Sequence, residues 1–443
     1  MDERDALAVA RDTVVMATDA GADAAEATVS ITRRFHVEAR DKTIAKLEQS
    51  TGKGLHVRLF VGGRKVALST SDFTPNVVRD AIRRAVDQSA HVAADPFAAL
   101  PEDCGTYDGE LNIYDPAVKE RDDAVKVDDA IAMEAMIRDA DHRVVNSGGS
   151  HYSDAASLVA LANSNGFSAS YTSTRANRST SPVAVENDVK RTAHYGTAGR
   201  HFGDLEHNET VARIAARRAV EMFGARKPAT MRVPVIFERD VAAAVLDDLF
   251  AALNAANVAV GNSWLAERVG DRIGSDLVTI YDDGTLPGRL GTTPFDGEGV
   301  PTRRTPVFER GELKTLLFDS YYARKMGAKT TGNSTGGGIG PNNFYLEPGF
   351  STLEELIAST PRGVLVLDTI GFATEYASGT YSRGARGFYI ENGELAYPVD
   401  EFTVAGSFAS MLEGIDAVAN DLRFDGSIVS PSFRVAEMTI SGN

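Results

Sequence analysis

From residue 208 to residue 443 the chain has no histidine and no cysteine: the last imidazole is His207 and the single thiol is Cys104. Hydrolytic zinc is held by imidazole, thiolate and carboxylate donors, so this long stretch can offer a cation only carboxylates. A lone cysteine excludes an internal disulfide and suits a reducing compartment. No run of about eighteen apolar residues occurs, so no membrane-crossing helix is encoded. The opening residues Asp2, Glu3, Arg4 and Asp5 are charged where a secretory signal would build its apolar core. Clusters of Lys and Arg with interleaved aromatics are also missing, and a formal charge of −16, from 62 acidic and 46 basic residues, repels a phosphate backbone. These absences point to a cytoplasmic protein with neither nucleic acid nor membrane as partner.

What is present is ordinary globular material. With 43% hydrophobic and 24% charged residues, neither half reads as disordered, and 443 residues exceed what one core usually organises. Two domains are expected, 1–225 and 231–443, meeting at a polar, proline-containing joint over 225–230, with three domains as the fallback. The fold class is α+β: an N-terminal α/β domain with hairpins and long helices, then a strand-rich domain with a few helices.

Helical spacing of Ala6, Val9, Ala10, Val14 and Ala17, closed by Gly21, predicts an opening helix. Alternation over 27–32 and 56–61 predicts strands, the second turning at Gly62 and Gly63 into 66–70. Helices are predicted over 77–90 and 119–140, and a type I′ hairpin at Asn165 and Gly166. Asn208 reads as the cap of a helix running to Phe223. In the second half, a strand over 233–237 leads to a helix over 240–256, and two glycine turns, at 307–314 and 389–396, resemble each other through shared turn chemistry.

Several segments carry candidate chemistry. The glycine-rich stretch 331–341 lacks the Lys-Ser/Thr ending of a phosphate cradle and reads as a surface loop bordering a cleft. His201 and His207, with Asp204 and Glu206 between them, match no standard zinc spacing. His151 lies in a Ser- and Gly-rich segment, 147–154, that reads as a polar turn. On the 240–256 helix the apolar stripe is Val241, Val245, Leu249 and Ala252. Asp248 falls on or beside it while Asp247 points elsewhere. A carboxylate so placed lines a cleft or reaches solvent or an arginine, because an isolated buried charge costs too much. Asp247, Asp248, Asp296 and Glu298 would be the acid/base groups of a zinc-independent hydrolase, one alternative reading, the other being a peptide-binding module with no peptidase attached.

The blocks TPFDGEGV (293–300), SYYARKMG (320–327), LEPG (346–349), GTYSRGARG (379–387) and AVANDL (417–422) occur in an order that resembles the C-terminal half of the TldD/PmbA peptidase family. In that family's zinc-binding branch, the resemblance implies, the helix carries HExxxH and a late cysteine supplies the third ligand. Here Asp247 and Asp248 stand at the first histidine and the glutamate, Ala252 at the second histidine, and Ser427 and Ser430 near the place of the thiol. The chain therefore resembles the PmbA, or TldE, branch, which implies no catalytic residue and no metal ligand in this chain. It also implies a TldD-like partner subunit that carries the zinc, and short unfolded peptides as substrate. For peptide contact the strand-rich half suggests Gly379, Tyr381, Ser382 and Arg383 at a sheet edge. There Tyr381 would stack on a side chain and Arg383 would hold a carboxylate.

Overall fold

The computed structural model describes residues 2–371 and 374–442. In the first half, α1 (Glu3–Asp19) precedes β1 (Ala24–Arg40), β2 (Thr43–Val61) and β3 (Arg64–Thr70), followed by the helices α2 (Pro75–Ser89), α3 (Pro116–Glu120) and α4 (Asp123–Ala140). Strands β4 (Val144–Asn163), β5 (Ser168–Glu186), β6 (Val189–Thr192) and β7 (Tyr195–Gly199) and helix α5 (Asn208–Val220) complete it. The seven strands form one sheet, in the order β3-β2-β1-β4-β5-β6 with β7 also on β5.

The parity of β1 divides the sheet's two faces. Ala25, Ala27 and Val29 pack with Val57 and Leu59 of β2 under α1 and α2, and farther along Phe35, Val37 and Ala39 pack with Val118 and Ala130 under α3 and α4. Because strand side chains alternate, Glu26, Thr28, Ser30, His36 and Glu38 all fall on the opposite, helix-free face.

The second half opens with β8 (Met231–Phe237) and the helix α6 (Arg239–Leu253), then α7 (Ala255–Ala259), β9 (Ile280–Asp283), β10 (Arg304–Glu309), β11 (Glu312–Leu313) and α8 (Ser320–Lys325). After β12 (Phe344–Leu346) and α9 (Leu353–Ala358) come β13 (Arg362–Ile370), β14 (Thr374–Glu375), β15 (Thr380–Glu391), β16 (Glu394–Ser407), α10 (Phe408–Gly414), β17 (Ile415–Val418), β18 (Ile428–Val429) and β19 (Phe433–Ser441). These strands make a five-stranded sheet, β11-β10-β9-β12-β18, and a seven-stranded one, β13-β8-β19-β16-β15-β14 with β17 also on β19. The apolar face of α6 (Val245, Leu246, Leu249, Leu253) lies in the core that joins them, with Val235, Phe344 and Phe433. The α+β class holds.

Several local expectations need correction. The 119–140 helix is two helices, broken at Arg121 and Asp122, where the Asp122 carboxylate caps the second. Asn208 is not the cap of α5. His207 holds that position, and the Asn208 amide instead donates to the Asp129 carbonyl at 2.9 Å. At Asn165 and Gly166 only the glycine has positive φ (+92°), so the turn is not type I′, which needs both central residues there. His151 lies inside β4, opposite Glu38, rather than in a turn.

Candidate functional site

Asp248 sits on the buried side of α6 with 4% of its surface exposed. An anion there must be matched, and Arg383, reaching over from β15, does so: its Nη2 donates to both carboxylate oxygens, at 2.8 and 2.6 Å. Arg383 Nη1 donates to the Gly371 carbonyl at 3.2 Å, so the guanidinium is anchored at both ends. Tyr376 also hydrogen-bonds to Asp248, and its phenol pKa is raised, first by burial and then by the charges of Asp248 and Asp247. Asp247, one residue back, opens to the surface; partial desolvation and the neighbouring Asp248 raise its pKa. One turn on, Ala252 is 1% exposed and its carbonyl accepts from Ser263 Oγ at 2.6 Å.

This donor set does not fit catalytic zinc. A methyl group stands where a ligand would be needed, the nearest buried carboxylate is already neutralised by a cation, and among the described residues no three His, Cys, Asp or Glu side chains converge on α6. The late serines differ in role: Ser430 is buried and donates to the Pro431 carbonyl, while Ser427 lines a cleft described below.

The segment 379–383 is not a free edge, and its expected part in peptide contact is corrected. From Thr380 to Ala385 the strand pairs with β16, and its other side pairs with β14 at Thr380 and Tyr381 and with β13 from Gly384 onward. Tyr381 is fully buried, its ring edge-on to Phe237 and Phe408, so no ligand can stack on it. Gly379 has φ +70°, and a Cβ there would come within 2.8 Å of the Trp264 ring, so its role is to admit that indole. Ser382 is half-buried between two paired neighbours, and Arg383 is committed to Asp248.

The glycine-rich stretch does border a cleft. A cavity of about 680 Å³ lies between the helix-free face of the first sheet (Thr28, Ser30, His56, Leu161) and the second half's Phe295, Asp296 and residues 333–337. Asp296 is clamped by backbone amides. Its Oδ1 accepts from Glu298 (2.9 Å) and Val300 (3.0 Å), and its Oδ2 from Ser334 (3.0 Å). Burial, then the charge of Glu298, pushes its pKa up to about 7 against the pull of those amides.

At the cleft's end Arg58 of β2 donates to Glu26 through Nε (2.9 Å) and Nη2 (2.6 Å), and to Glu298 of the second half through Nη1 (2.9 Å). Two carboxylates thus share one guanidinium, and burial raises the Glu26 pKa to about 7. The halves are tied a second time by buried Arg200, whose guanidinium donates to the carbonyls of Thr174, Arg289, Leu290 and Thr292.

His201 and Asp204 are neighbours across a short turn, while Glu206 joins Tyr195 and Arg423, so the 201–207 group does not converge. One histidine cluster was missed by sequence reasoning: His36, Glu38 and His151 place one ligand atom each within 4.8 Å of one another. Only the register between β1 and β4, set by residues more than a hundred positions apart, brings them together.

Two α+β halves meet about a shared cleft, with α6 in the core of the second, and comparison with known proteins gives this arrangement its family. The models of the PmbA/TldA metallopeptidase domain 1, central domain and C-terminal domain match residues 25–93, 116–223 and 230–442. The chain belongs to the PmbA/TldD metallopeptidase family. It is 32% identical over 443 residues to the metalloprotease PmbA of Escherichia coli O157:H7, covering 99% of this chain and 97% of that one. Among solved structures, a proposed modulator of DNA gyrase from Bacteroides thetaiotaomicron superimposes with TM-score 0.93 at 27% identity over all of both chains. TldE from Thermococcus kodakarensis superimposes with TM-score 0.90 at 23% identity, over 98% of this chain and 100% of that one, a likeness of fold.

Proposed function

We propose that this chain is the non-catalytic subunit of a two-chain metallopeptidase, working in the cytoplasm with a TldD-like partner that carries the zinc and cuts short unfolded peptides. The observation that carries the reading is the Asp248–Arg383 pair: where a hydrolytic ion would need open donors, α6 presents a carboxylate already held by a guanidinium, and a buried alanine one turn on. Without three donors, no water can be activated by zinc there. In this reading the chain contributes walls. The 680 Å³ cleft, lined on one side by glycines and backbone, suits an extended chain of varied sequence better than a folded one.

The alternative of a zinc-independent carboxylate hydrolase draws on Asp296, which borders the cleft with a pKa near 7. Its three backbone amide bonds favour a loop clamp over a free acid/base group. The test is to purify the chain alone, a HExxxH-bearing partner alone, and the two together, and to measure turnover of an unstructured peptide. Turnover by the pair that exceeds both single preparations is the expected result. Chelator-insensitive turnover by this chain alone, or a mixture no better than the partner, overturns the proposal.

A further inference from the structure

The helix-free face of the first sheet carries polar groups along its whole length, and at one place their chemistry is specific. On β1, His36 and Glu38 are two residues apart and so point the same way, and β4 sets His151 directly opposite Glu38 and Ser153 opposite His36. The two imidazoles lie nearly parallel, with ring centroids 5.7 Å apart, and one donor atom from each of the three side chains falls within 4.8 Å of the others. All three are half-buried: open to solvent, yet with their rotamers confined by neighbours.

We propose that His36, Glu38 and His151 bind a borderline divalent cation of the Zn²⁺ or Co²⁺ type. Two imidazoles and one carboxylate are the donors such ions prefer, and three protein ligands leave at least one position for water. Ligands about 2.1 Å from a tetrahedral ion stand roughly 3.4 Å apart, so atoms within 4.8 Å of one another need close in by at most about 1.4 Å, within the reach of side-chain rotation.

Local structure leaves room for that movement. The register of β4 slips between Ser147 and Ser150, and Gly149 in this bulge has φ +116°. A Cβ at Gly149 would stand 3.0 Å from the Glu38 side chain and 3.1 Å from His151 Nε2, so any other residue there would fill the space between two of the donors. Glu38 has one competing partner, Arg40 Nη2 at 3.1 Å, but the same nitrogen donates to the Gly148 carbonyl at 2.8 Å and stays anchored when the carboxylate turns away. An exposed ion pair of this kind holds a carboxylate weakly. The site lies on the first sheet, far along β1 from the cleft residues Thr28 and Ser30, and is independent of α6.

The experiment uses the full chain, stripped with chelator and titrated with Co²⁺ alone, followed by visible absorption and then by Zn²⁺ calorimetry. One equivalent is expected to bind. His36→Ala and His151→Ala should each weaken it by about tenfold or more, Glu38→Gln by somewhat less, and Asp247→Asn on α6 should leave it unchanged. Circular dichroism of each variant reports its folding. On the unsubstituted chain, Zn²⁺ should also shield the His36 and His151 imidazoles from acylation, read by peptide mass mapping, which keeps the test decisive if a variant misfolds. Absence of saturable binding, binding that survives the double histidine substitution, loss of binding in Asp247→Asn, or no protection of the two imidazoles overturns the proposal. No readout involves peptide cleavage, so this site and the subunit reading stand or fall separately.

Discussion

Two arginines that meet buried carboxylates, Arg58 and Arg383, solve one problem with different arithmetic. Arg383 meets a single carboxylate, Asp248, within the second half, and the charges balance. Arg58 meets two, Glu26 from its own half and Glu298 from the other, in a setting where all three side chains are less than a tenth exposed. The surplus negative charge cannot be hydrated, so one carboxyl tends to keep its proton, and Glu26 is the one whose pKa rises to about 7. An unbalanced triad between two halves makes their junction respond to pH near neutrality.

Removing each arginine sharpens the contrast. Arg58→Ala strands two buried carboxylates and cuts one of the links between halves. The expected loss is about 3–5 kcal/mol in urea unfolding, with the junction opening first. Arg383→Ala strands one, nearer the surface, at roughly 3 kcal/mol or less. The double substitution Asp248→Asn with Arg383→Ala should recover part of that loss, because no charge is then left behind. If the Arg383 substitution costs more than the Arg58 one, the distinction drawn between the clusters fails.

The third prediction concerns pH. Glu26 has a folded pKa near 7 against an ordinary 4.5, so between these values the folded chain holds a proton the unfolded chain has released. Stability therefore falls as pH rises from about 4.5 to 7, and is lowest above the folded value, by on the order of 3 kcal/mol from this group. Asp296, also near 7, pushes the same way. Melting curves between pH 5 and 8 should show the decline, and Glu26→Gln should flatten it. A slope unchanged in that variant would place the titration elsewhere.

How much of this was legible follows from the range of each interaction. The opening helix and the Gly62–Gly63 hairpin, whose glycines have φ +55° and +70°, are written in local spacing and turn residues. Strands β4 and β5 were only partly visible. Ser, Thr and Asn occur on both faces, with Ser168 and Ser170 of β5 meeting Arg11 and Glu3 of α1 and Ser153 bonding to Asn177 on the other side, so the usual alternation of apolar residues is weak. The turn between β1 and β2 escaped notice because Asp41 and Lys42, not glycines, adopt positive φ there, supported by Arg138 and Glu134 of α4. On α6, Asp248 was recognisable as a carboxylate in need of a partner, but Arg383 lies 135 positions away and nothing local names it. The same distance effect misread 379–383 as an edge: its neighbours β14 and β16 flank it in sequence, yet the pairing that buries Tyr381 between Phe237 and Phe408 is tertiary.

The smallest effect is expected at Asp247, and it tests the comparison from its inert side. This carboxylate neighbours Asp248 but lies outside the Arg383 pair and opens to the surface, so its raised pKa records partial desolvation and like-charge repulsion rather than any bond. Asp247→Asn removes that repulsion and should change stability by no more than about 0.5 kcal/mol, in the stabilising direction if at all. Because α6 is read as carrying no chemistry, peptide turnover by the assembled two-chain enzyme should also be unchanged. A loss of turnover with stability intact would mean that Asp247 acts on substrate or water, which moves the catalytic role back onto this chain and makes Asp248–Arg383 its positioning pair instead of its replacement.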